Sequence, residues 1–187
     1  HDKLAETIPY GTLGILALES SRDMGKRVND YIVDWRNDRA QNHATAASFA
    51  GYNRDSFIID SACPRFGSGE AKGIIRESVR GQDLYILVDV CNYNLTYTVC
   101  GQTNHMSPDD HYQDLKRIIA AVGGKARRIT VIMPFLYESR QHRRSARESL
   151  DCALALQELT QMGVESIITF DAHDPRVHNA IPLKSFG

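Results

Sequence analysis

The sequence lacks four features, and each absence argues against one class of protein. No stretch approaches the roughly 20 consecutive apolar residues that a membrane-spanning helix needs. The four cysteines (Cys63, Cys91, Cys100 and Cys152) form no C-x-x-C pair, which argues against a zinc site and a disulfide framework. With 22 basic and 23 acidic residues, the chain has no positive excess of the kind that nonspecific nucleic-acid binders carry. The N-terminus has no apolar signal core, so we expect a cytoplasmic protein with neither membrane nor nucleic acid as partner.

The composition is that of an ordinary globular domain of 187 residues, 42% of them hydrophobic and 24% charged. Short apolar runs rich in Ile, Leu and Val predict buried strands over residues 13–18, 84–90, 129–133 and 166–170. These runs show no strict alternation. They therefore favour a mostly parallel sheet that helices cover on both faces.

Amphipathic helix patterns lie between these strands. The clearest covers residues 109–122, begins after a capping Ser107 and ends at Gly123. Two further helices are predicted over residues 146–162 and 24–35. Strands and helices that alternate in this way predict right-handed crossovers and a single three-layer α/β domain.

The polar segment from residue 41 to residue 77 departs from this rhythm, and its apolar residues 57–59 and 74–75 predict an antiparallel flap at the edge of the sheet. Within it, residues 66–70 read Phe-Gly-Ser-Gly-Glu. Two glycines around a serine allow a tight turn and a close approach of the backbone to a ligand. Taken alone, the segment is better explained as a hairpin turn that binds nothing.

A basic cluster follows the strand at 129–133 and precedes a helix. It places four arginines within eight residues: Arg140, Arg143, Arg144 and Arg147. The guanidinium fork suits phosphate oxygens, and a helix N-terminus adds partial positive charge. Ligands of open α/β sheets bind at the carboxyl ends of the strands. The position therefore favours an anion site over a solvated basic loop or a face that meets an acidic partner.

Asp171 and His173 follow the last predicted strand, two residues apart, so an extended chain directs both side chains to the same side. A carboxylate and an imidazole together hold a divalent metal, or form a base with its orienting partner. Mg²⁺ prefers oxygen ligands and keeps several waters, so a sparse site suits a metal carried in by phosphates. A hydrogen-bonded loop explains the two residues equally well.

Three segments of the chain together resemble the ribose-phosphate pyrophosphokinase (PRPP synthetase) family. Residues 65–70, R-F-G-S-G-E, and residues 77–84, E-S-V-R-G-Q-D-L, are similar to the family's flag loop and the strand after it. Residues 134–144, P-F-L-Y-E-S-R-Q-H-R-R, resemble its P-Y-x-x-Y-A-R-Q-D-R-K stretch. Residues 167–173, I-I-T-F-D-A-H, are similar to its V-I-T-M-D-L-H. The matches come in family order, at family-like spacing.

The resemblance implies a type I phosphoribosyltransferase-like fold with a flap-like hairpin. It also implies the family's reaction, in which ATP and ribose 5-phosphate give PRPP and AMP with Mg²⁺ in a homo-oligomer. We expect residues 1–187 to form the N-terminal, ATP-binding domain. The family's second domain, with its catalytic lysine and arginine and most of the ribose 5-phosphate site, lies outside this chain. We therefore expect the chain alone to be inactive.

The resemblance also assigns roles to individual residues. The candidates for ATP binding, of which those in the flag loop would come from a neighbouring subunit, are Phe66, Ser68, Glu70, Arg140 and Gln141. The candidates for phosphate binding are Ser78 and Arg80, which match a regulatory site between subunits, with Arg143 and Arg144. The candidate Mg²⁺ ligand is His173, through a metal bound to ATP.

Two substitutions keep a second function open. Ser68 and His142 each stand where the family usually has an aspartate. A noncatalytic PRPP synthetase-associated regulatory protein would tolerate such changes. A nucleotide-binding module of unrelated role is a third reading, supported only by the basic cluster.

Overall fold

The structure, a computed structural model, describes residues 10–42, 51–137, 147, 149, 151–170 and 181–182. Within them the strands are β1 (Thr12–Ala17), β2 (Ser61–Ala62), β3 (Ile74–Ile75), β4 (Gln82–Leu87), β5 (Thr96–Val99), β6 (Gln102–His105), β7 (Arg128–Ile132), β8 (Ser166–Ile168) and β9 (Ile181–Pro182). The helices are α1 (Arg22–Asn42), α2 (Pro108–Val122) and α3 (Asp151–Gln161).

The main sheet has the strand order β1-β4-β7-β8-β9. The first four strands are parallel, and β9 pairs with β8 in the antiparallel sense. All four apolar runs therefore become neighbouring strands of one sheet, as predicted. In the register of β7 and β8, Val131 lies opposite Ile167. A parallel pair of this kind requires a crossover, and α3 supplies it.

Residues 57–59 extend the main sheet beyond β1. The amide of Ile15 donates to the carbonyl of Phe57 at 2.8 Å, and the amide of Ile59 donates to the carbonyl of Ile15 at 2.7 Å. The prediction that these residues belong to the flap is therefore wrong, because their apolar side chains enter the core beside β1. The predicted antiparallel pairing is confirmed for β2 and β3.

The two faces of the sheet are covered by different helices, which confirms the three-layer prediction. Leu16 and Ile86 pack toward α2 and α3. Their neighbours Ile15 and Leu87 belong to the cluster that packs against α1. Successive side chains along a strand point to opposite faces, so two consecutive apolar residues such as Ile15 and Leu16 make both faces of the sheet apolar. Residues 57–59 lie on one side of β1 and β4 lies on the other, so the chain extends from β1 in both directions, as in doubly wound folds.

The predicted capping of α2 is confirmed. The hydroxyl of Ser107 accepts from the amide of Asp110 at 3.1 Å, and the Asp110 carboxylate accepts from the amide of Ser107 at 2.9 Å. This reciprocal pair satisfies two of the free donors at the start of the helix. At its end, Gly123 adopts a left-handed φ of 62°, which glycine does without strain.

The other two helices differ from prediction at their ends. The helix α1 continues to Asn42, through a polar segment whose composition gives no apolar stripe. Helix α3 begins at Asp151 instead of residue 146, and Arg147 and Ser149 lie outside it. The buried stripe of α3 consists of Ala155, Leu156 and Leu159, and the half-buried Cys152 near its start also packs against the core. Among the described helices, none has the length and apolar character needed to cross a bilayer.

Candidate functional site

The flag-like segment forms the turn of an antiparallel hairpin. Beyond β2 and β3, Arg65 forms a bridge with Ala71. The amide of Phe66 donates to the carbonyl of Glu70 at 2.7 Å, and the amide of Gly69 donates to the carbonyl of Phe66 at 2.9 Å. Gly69 has a φ of +93°, so the tight turn depends on a glycine there.

The turn presents its side chains to solvent. Phe66 is 49% exposed, and Ser68 and Glu70 are exposed as well. The hydroxyl of Ser68 donates to the Glu70 carboxylate at 3.3 Å. One short turn thus carries an aromatic ring, a hydroxyl and a carboxylate. Together these groups can stack on a planar ligand and accept its hydrogen bonds.

A buried ion pair connects this hairpin to α2. The Arg65 guanidinium donates to the Asp114 carboxylate at 2.8 Å, and the two side chains are 12% and 8% exposed. Arg117 donates to the other oxygen of the same carboxylate at 2.6 Å. The sequence motifs did not predict this contact. A signal was available, since Asp114 lies one turn before Ile118 on the apolar stripe of α2, where an acid requires a partner.

A second pair of loops begins at the carboxyl ends of β7 and β8. The carbonyl of Pro134 accepts hydrogen bonds from the amide of Phe170 at 3.1 Å and from the hydroxyl of Thr169 at 3.3 Å. The segments that lead to the basic cluster and to Asp171 therefore leave the sheet side by side. The remaining predicted site residues lie outside the described residues: Arg140, Gln141, Arg143, Arg144 and His173.

Tyr137 fixes the chain three residues before Arg140. Its ring stacks on that of Tyr112, with centroids 4.3 Å apart and planes 6° apart. Its hydroxyl donates to the carboxylate of Asp109, which is also part of α2. Tyr112 in turn donates to the carbonyl of Ala155 at 3.1 Å. The start of the basic segment is thus fastened to α2, as the flag-like hairpin is.

Ser78 and Arg80 lie at the opposite edge of the sheet, before the amino end of β4. Both are exposed, and the hydroxyl of Ser78 accepts from the amide of Arg80 at 3.3 Å. Because β4, β7 and β8 are parallel, this edge is remote from the Pro134 and Phe170 end of the sheet. The structure therefore separates these two phosphate-binding candidates from the loops at the carboxyl edge.

Further arginines surround this amino edge. The guanidinium groups of Arg127 and Arg128 lie 4.8 and 4.4 Å from the ring centroid of Tyr10. Arg128 also forms a fork with Asp83, with N···O distances of 2.8 and 2.6 Å. That hydrogen-bonded fork raises the pKa of Arg128. Arg127 makes no such fork with Asp83, so its charge is the more available to an anion.

The crevice between β1 and β4 is the usual ligand position in a doubly wound sheet. Here the loops after the two strands bind each other across it. The Ser20 hydroxyl accepts from the amide of Asp89 at 3.0 Å, and the Ser20 carbonyl accepts from the Asn92 side chain at 3.1 Å. These hydrogen bonds join the two loops across the crevice, whereas the predicted phosphate-binding and metal-binding segments follow β7 and β8.

No group of three or more His, Cys, Asp or Glu side chains within the described part of the chain is arranged to hold a metal. The nearest thiol to the hairpin base, that of Cys63, has its pKa raised to about 12, first by burial and then by the charge of Asp114. It therefore remains protonated at neutral pH and is a poor metal ligand or nucleophile.

The fold and these loops define a doubly wound α/β domain whose candidate site is built by loops at the carboxyl edge of the sheet. Residues 13–163 match the family model described as the N-terminal domain of ribose phosphate pyrophosphokinase. The chain therefore belongs to the ribose-phosphate pyrophosphokinase family, as the sequence motifs predicted.

Individual relatives agree with this assignment. The chain is 35% identical over 116 residues to ribose-phosphate pyrophosphokinase 1 of Schizosaccharomyces pombe, a match that covers 61% of this chain and 25% of that protein. It is 30% identical over 115 residues to ribose-phosphate pyrophosphokinase B of Dictyostelium discoideum, covering 60% and 31%. It is 31% identical over 121 residues to the Vibrio parahaemolyticus ribose-phosphate pyrophosphokinase, covering 63% and 34%. The chain thus spans between a quarter and about a third of these relatives.

A solved structure shows the same fold. The crystal structure of phosphoribosylpyrophosphate synthetase from Mycobacterium smegmatis superposes with a TM-score of 0.56 over 94% of this chain and 45% of that one. The two sequences are 20% identical over the match. The comparison confirms the predicted phosphoribosyltransferase-like architecture.

Proposed function

We propose that this chain supplies the ATP-binding half of a ribose-phosphate pyrophosphokinase. In the reaction, the 1-hydroxyl of ribose 5-phosphate attacks the β-phosphorus of ATP. The bond from that phosphorus to the α,β-bridging oxygen breaks, AMP leaves and the hydroxyl proton is lost. The observation that carries the proposal is the hydrogen bond from Phe170 to Pro134, because it makes the two motif-bearing segments leave the sheet together.

In this proposal the residues share the work of binding ATP. Phe66 stacks on adenine, and Ser68 and Glu70 contact its polar edge. Arg140 and Gln141 hold the phosphates and the base, with Arg143 and Arg144 adding positive charge. Phosphoryl transfer depends mainly on in-line positioning and on neutralisation of the developing charge, and guanidinium groups serve both needs.

The same proposal includes Mg²⁺ bound to the ATP phosphates, with His173 as its protein ligand. The bound ion would neutralise phosphate charge. One feature supports this role, because the segment that carries Asp171 and His173 leaves the sheet beside Pro134. A sparse protein contribution suits Mg²⁺, which keeps several waters and substrate oxygens.

We further propose that Ser78 and Arg80 bind a regulatory phosphate at the amino edge of the sheet. Their exposure supports an anion there, as does the position of Arg127, whose amide donates to the carbonyl of Gln82 two residues after Arg80. We also propose that the protein is a homo-oligomer and that it lies in the cytoplasm. The four cysteines all lie in the described part of the chain and form no disulfide there, which suits a reducing compartment.

Calorimetric titration of ATP, with and without Mg²⁺, tests the assignment. Arg140→Ala should weaken binding by about 1.5–3 kcal/mol, the usual value of a hydrogen bond to a charged group. His173→Ala should remove only the Mg²⁺-dependent part. Lys26→Ala, on the exposed surface of α1, is the control for loss of one positive charge. If Arg140→Ala binds ATP as tightly as the unchanged chain, the phosphate assignment is wrong.

A further inference from the structure

We propose that Arg65 is a positioning residue, which holds the turn of residues 66–70 in the orientation that receives the base of the nucleotide. Asp114 of α2 anchors it. This inference rests on the proposed function, because it assigns the turn to base recognition. It adds a residue that does not itself contact the ligand and acts through the turn.

The geometry gives Arg65 three contacts with three parts of the fold. One guanidinium nitrogen donates to the carbonyl of Gly69 at 2.8 Å, inside the turn. Another donates to the carboxylate of Asp114 at 2.8 Å. The guanidinium carbon lies 4.8 Å from the ring centroid of Tyr97, on β5. One side chain therefore fastens the turn to both α2 and the β5–β6 hairpin.

These contacts require arginine. A guanidinium group is a planar fork with several fixed donors, so it bonds a carbonyl and a carboxylate at once while its face lies on an aromatic ring. Lysine keeps the charge but concentrates it on a single nitrogen at the end of a flexible chain. Arg65→Lys is therefore expected to keep the ion pair with Asp114 and to lose the bond to Gly69.

The base of the hairpin, where β2 pairs with β3, has contacts with α2 that do not involve Arg65. A side chain at Gly73 would place its Cβ 2.5 Å from the carbonyl oxygen of Arg117, which shows how closely the second hairpin strand lies on α2. Asp114 also keeps a cation when Arg65 is replaced, because Arg117 lies 2.6 Å from it. The loss of Arg65 is therefore expected to release the turn while the hairpin base stays in place.

Arg117 provides a matched control. It pairs with the same carboxylate as Arg65 and has a similar exposure, 20% against 12%. The hydrogen bond to the turn belongs to Arg65. The comparison of Arg65→Lys with Arg117→Lys, and of the two alanine variants, separates the general loss of an ion pair from the loss of the turn's anchor.

The experiment titrates each variant with ATP and with inorganic triphosphate, which has phosphates but no base. We expect the Arg65 variants to lose about tenfold in affinity for ATP, the scale of base–aromatic stacking, and to bind triphosphate as the unchanged chain does. The Arg117 variants should bind both ligands normally. A merely structural defect would lower both affinities together. Equal ATP affinity in Arg65→Ala and the unchanged chain would overturn the inference and leave the proposed function standing.

Amide hydrogen exchange gives a readout that needs no nucleotide. Exchange at Phe66 and Gly69, whose amides close the turn, should accelerate in the Arg65 variants and not in the Arg117 variants. Unchanged exchange in Arg65→Ala would overturn the inference. If the unchanged chain binds neither ATP nor triphosphate, the proposed function is wrong and the role in base recognition falls with it.

Discussion

The amide of Phe170 donates to the carbonyl of Pro134 across 3.1 Å, so the ends of β7 and β8 are joined at the point where each chain segment leaves the sheet. Parallel neighbours direct their carboxyl ends to one edge. Ser78 and Arg80 precede β4 and lie at the other edge. The segments proposed to bind ATP and Mg²⁺ after β7 and β8 therefore lie at the opposite edge from the proposed regulatory residues, so separate variants can test the two edges.

The first prediction concerns which subunit's ATP site the flag-like turn contacts. If Phe66 acts on a neighbouring subunit, Phe66→Ala and Arg140→Ala damage the same site from different chains. Each variant alone should bind ATP weakly. A dissociated and reassociated 1:1 mixture should recover about a quarter of the sites in a two-fold dimer.

Analytical ultracentrifugation and calorimetry on the same samples check this prediction. The unchanged chain should be at least dimeric at the concentrations used. A doubled dose of either single variant is the control. A strictly monomeric chain, or a mixture that binds no better than its components, would show that the turn does not act on a neighbour.

The second prediction compares two glycines of the hairpin. Gly73→Ala should lower the free energy of unfolding by about 1–3 kcal/mol, because its new Cβ would lie 2.5 Å from the backbone oxygen of Arg117. Gly67→Ala adds the same methyl group where no heavy atom lies within 4 Å, and its effect should stay within about 0.5 kcal/mol. Urea unfolding measures both. Equal effects would contradict the close packing of the hairpin on α2.

The third prediction concerns the fork between Arg128 and Asp83. The Asp83 side chain is only 11% exposed, so Arg128→Ala leaves a largely buried carboxylate without its partner. We expect the free energy of unfolding to fall by about 2–3 kcal/mol. Arg127→Ala, one residue earlier on an exposed side chain, should cost about 0.5–1 kcal/mol through its contact with Tyr10. Thermal unfolding of the two variants should therefore rank them clearly.

The fourth prediction concerns alkaline pH. Burial raises the pKa of Cys63 from 9.0 to about 12 in the folded chain. The unfolded chain loses this proton first, so the free energy of unfolding should fall as pH rises from about 9 to about 12. Cys63→Ala should flatten part of this fall, whereas Cys91→Ala, at an exposed position, should not. Urea titrations at several pH values measure the slope. An identical slope in Cys63→Ala would show that the thiol titrates normally.

The sequence predicted the main sheet well because its strands are covered on both faces. Burial on both sides favours runs rich in Ile, Leu and Val, and this pattern is visible in the apolar residues of β4 and β7. The β5–β6 hairpin was missed because its strands consist mainly of exposed or half-exposed Thr, Tyr, Gln and Asn. In its turn Cys100 has a positive φ of 51°, and a cysteine in the sequence does not predict that conformation.

The candidate site was predictable in part. The two glycines around Ser68 predicted the tight turn of residues 66–70, since a short turn depends on local residues. The anchors came from distant parts of the chain, as Asp114 is 49 residues from Arg65. Only the fold brings such pairs together. A buried acid on an apolar helix stripe signals a partner without saying which one.

Helix α2 holds Arg65 through Asp114 and holds Tyr137 through Asp109 and Tyr112. One helix therefore sets the positions of both the turn of residues 66–70 and the segment that leads to the basic cluster. A small rotation of α2 would therefore displace both segments at once. Geneticists who screen the chain for impaired nucleotide use should therefore find damaging changes clustered in a helix for which we propose no ligand contact.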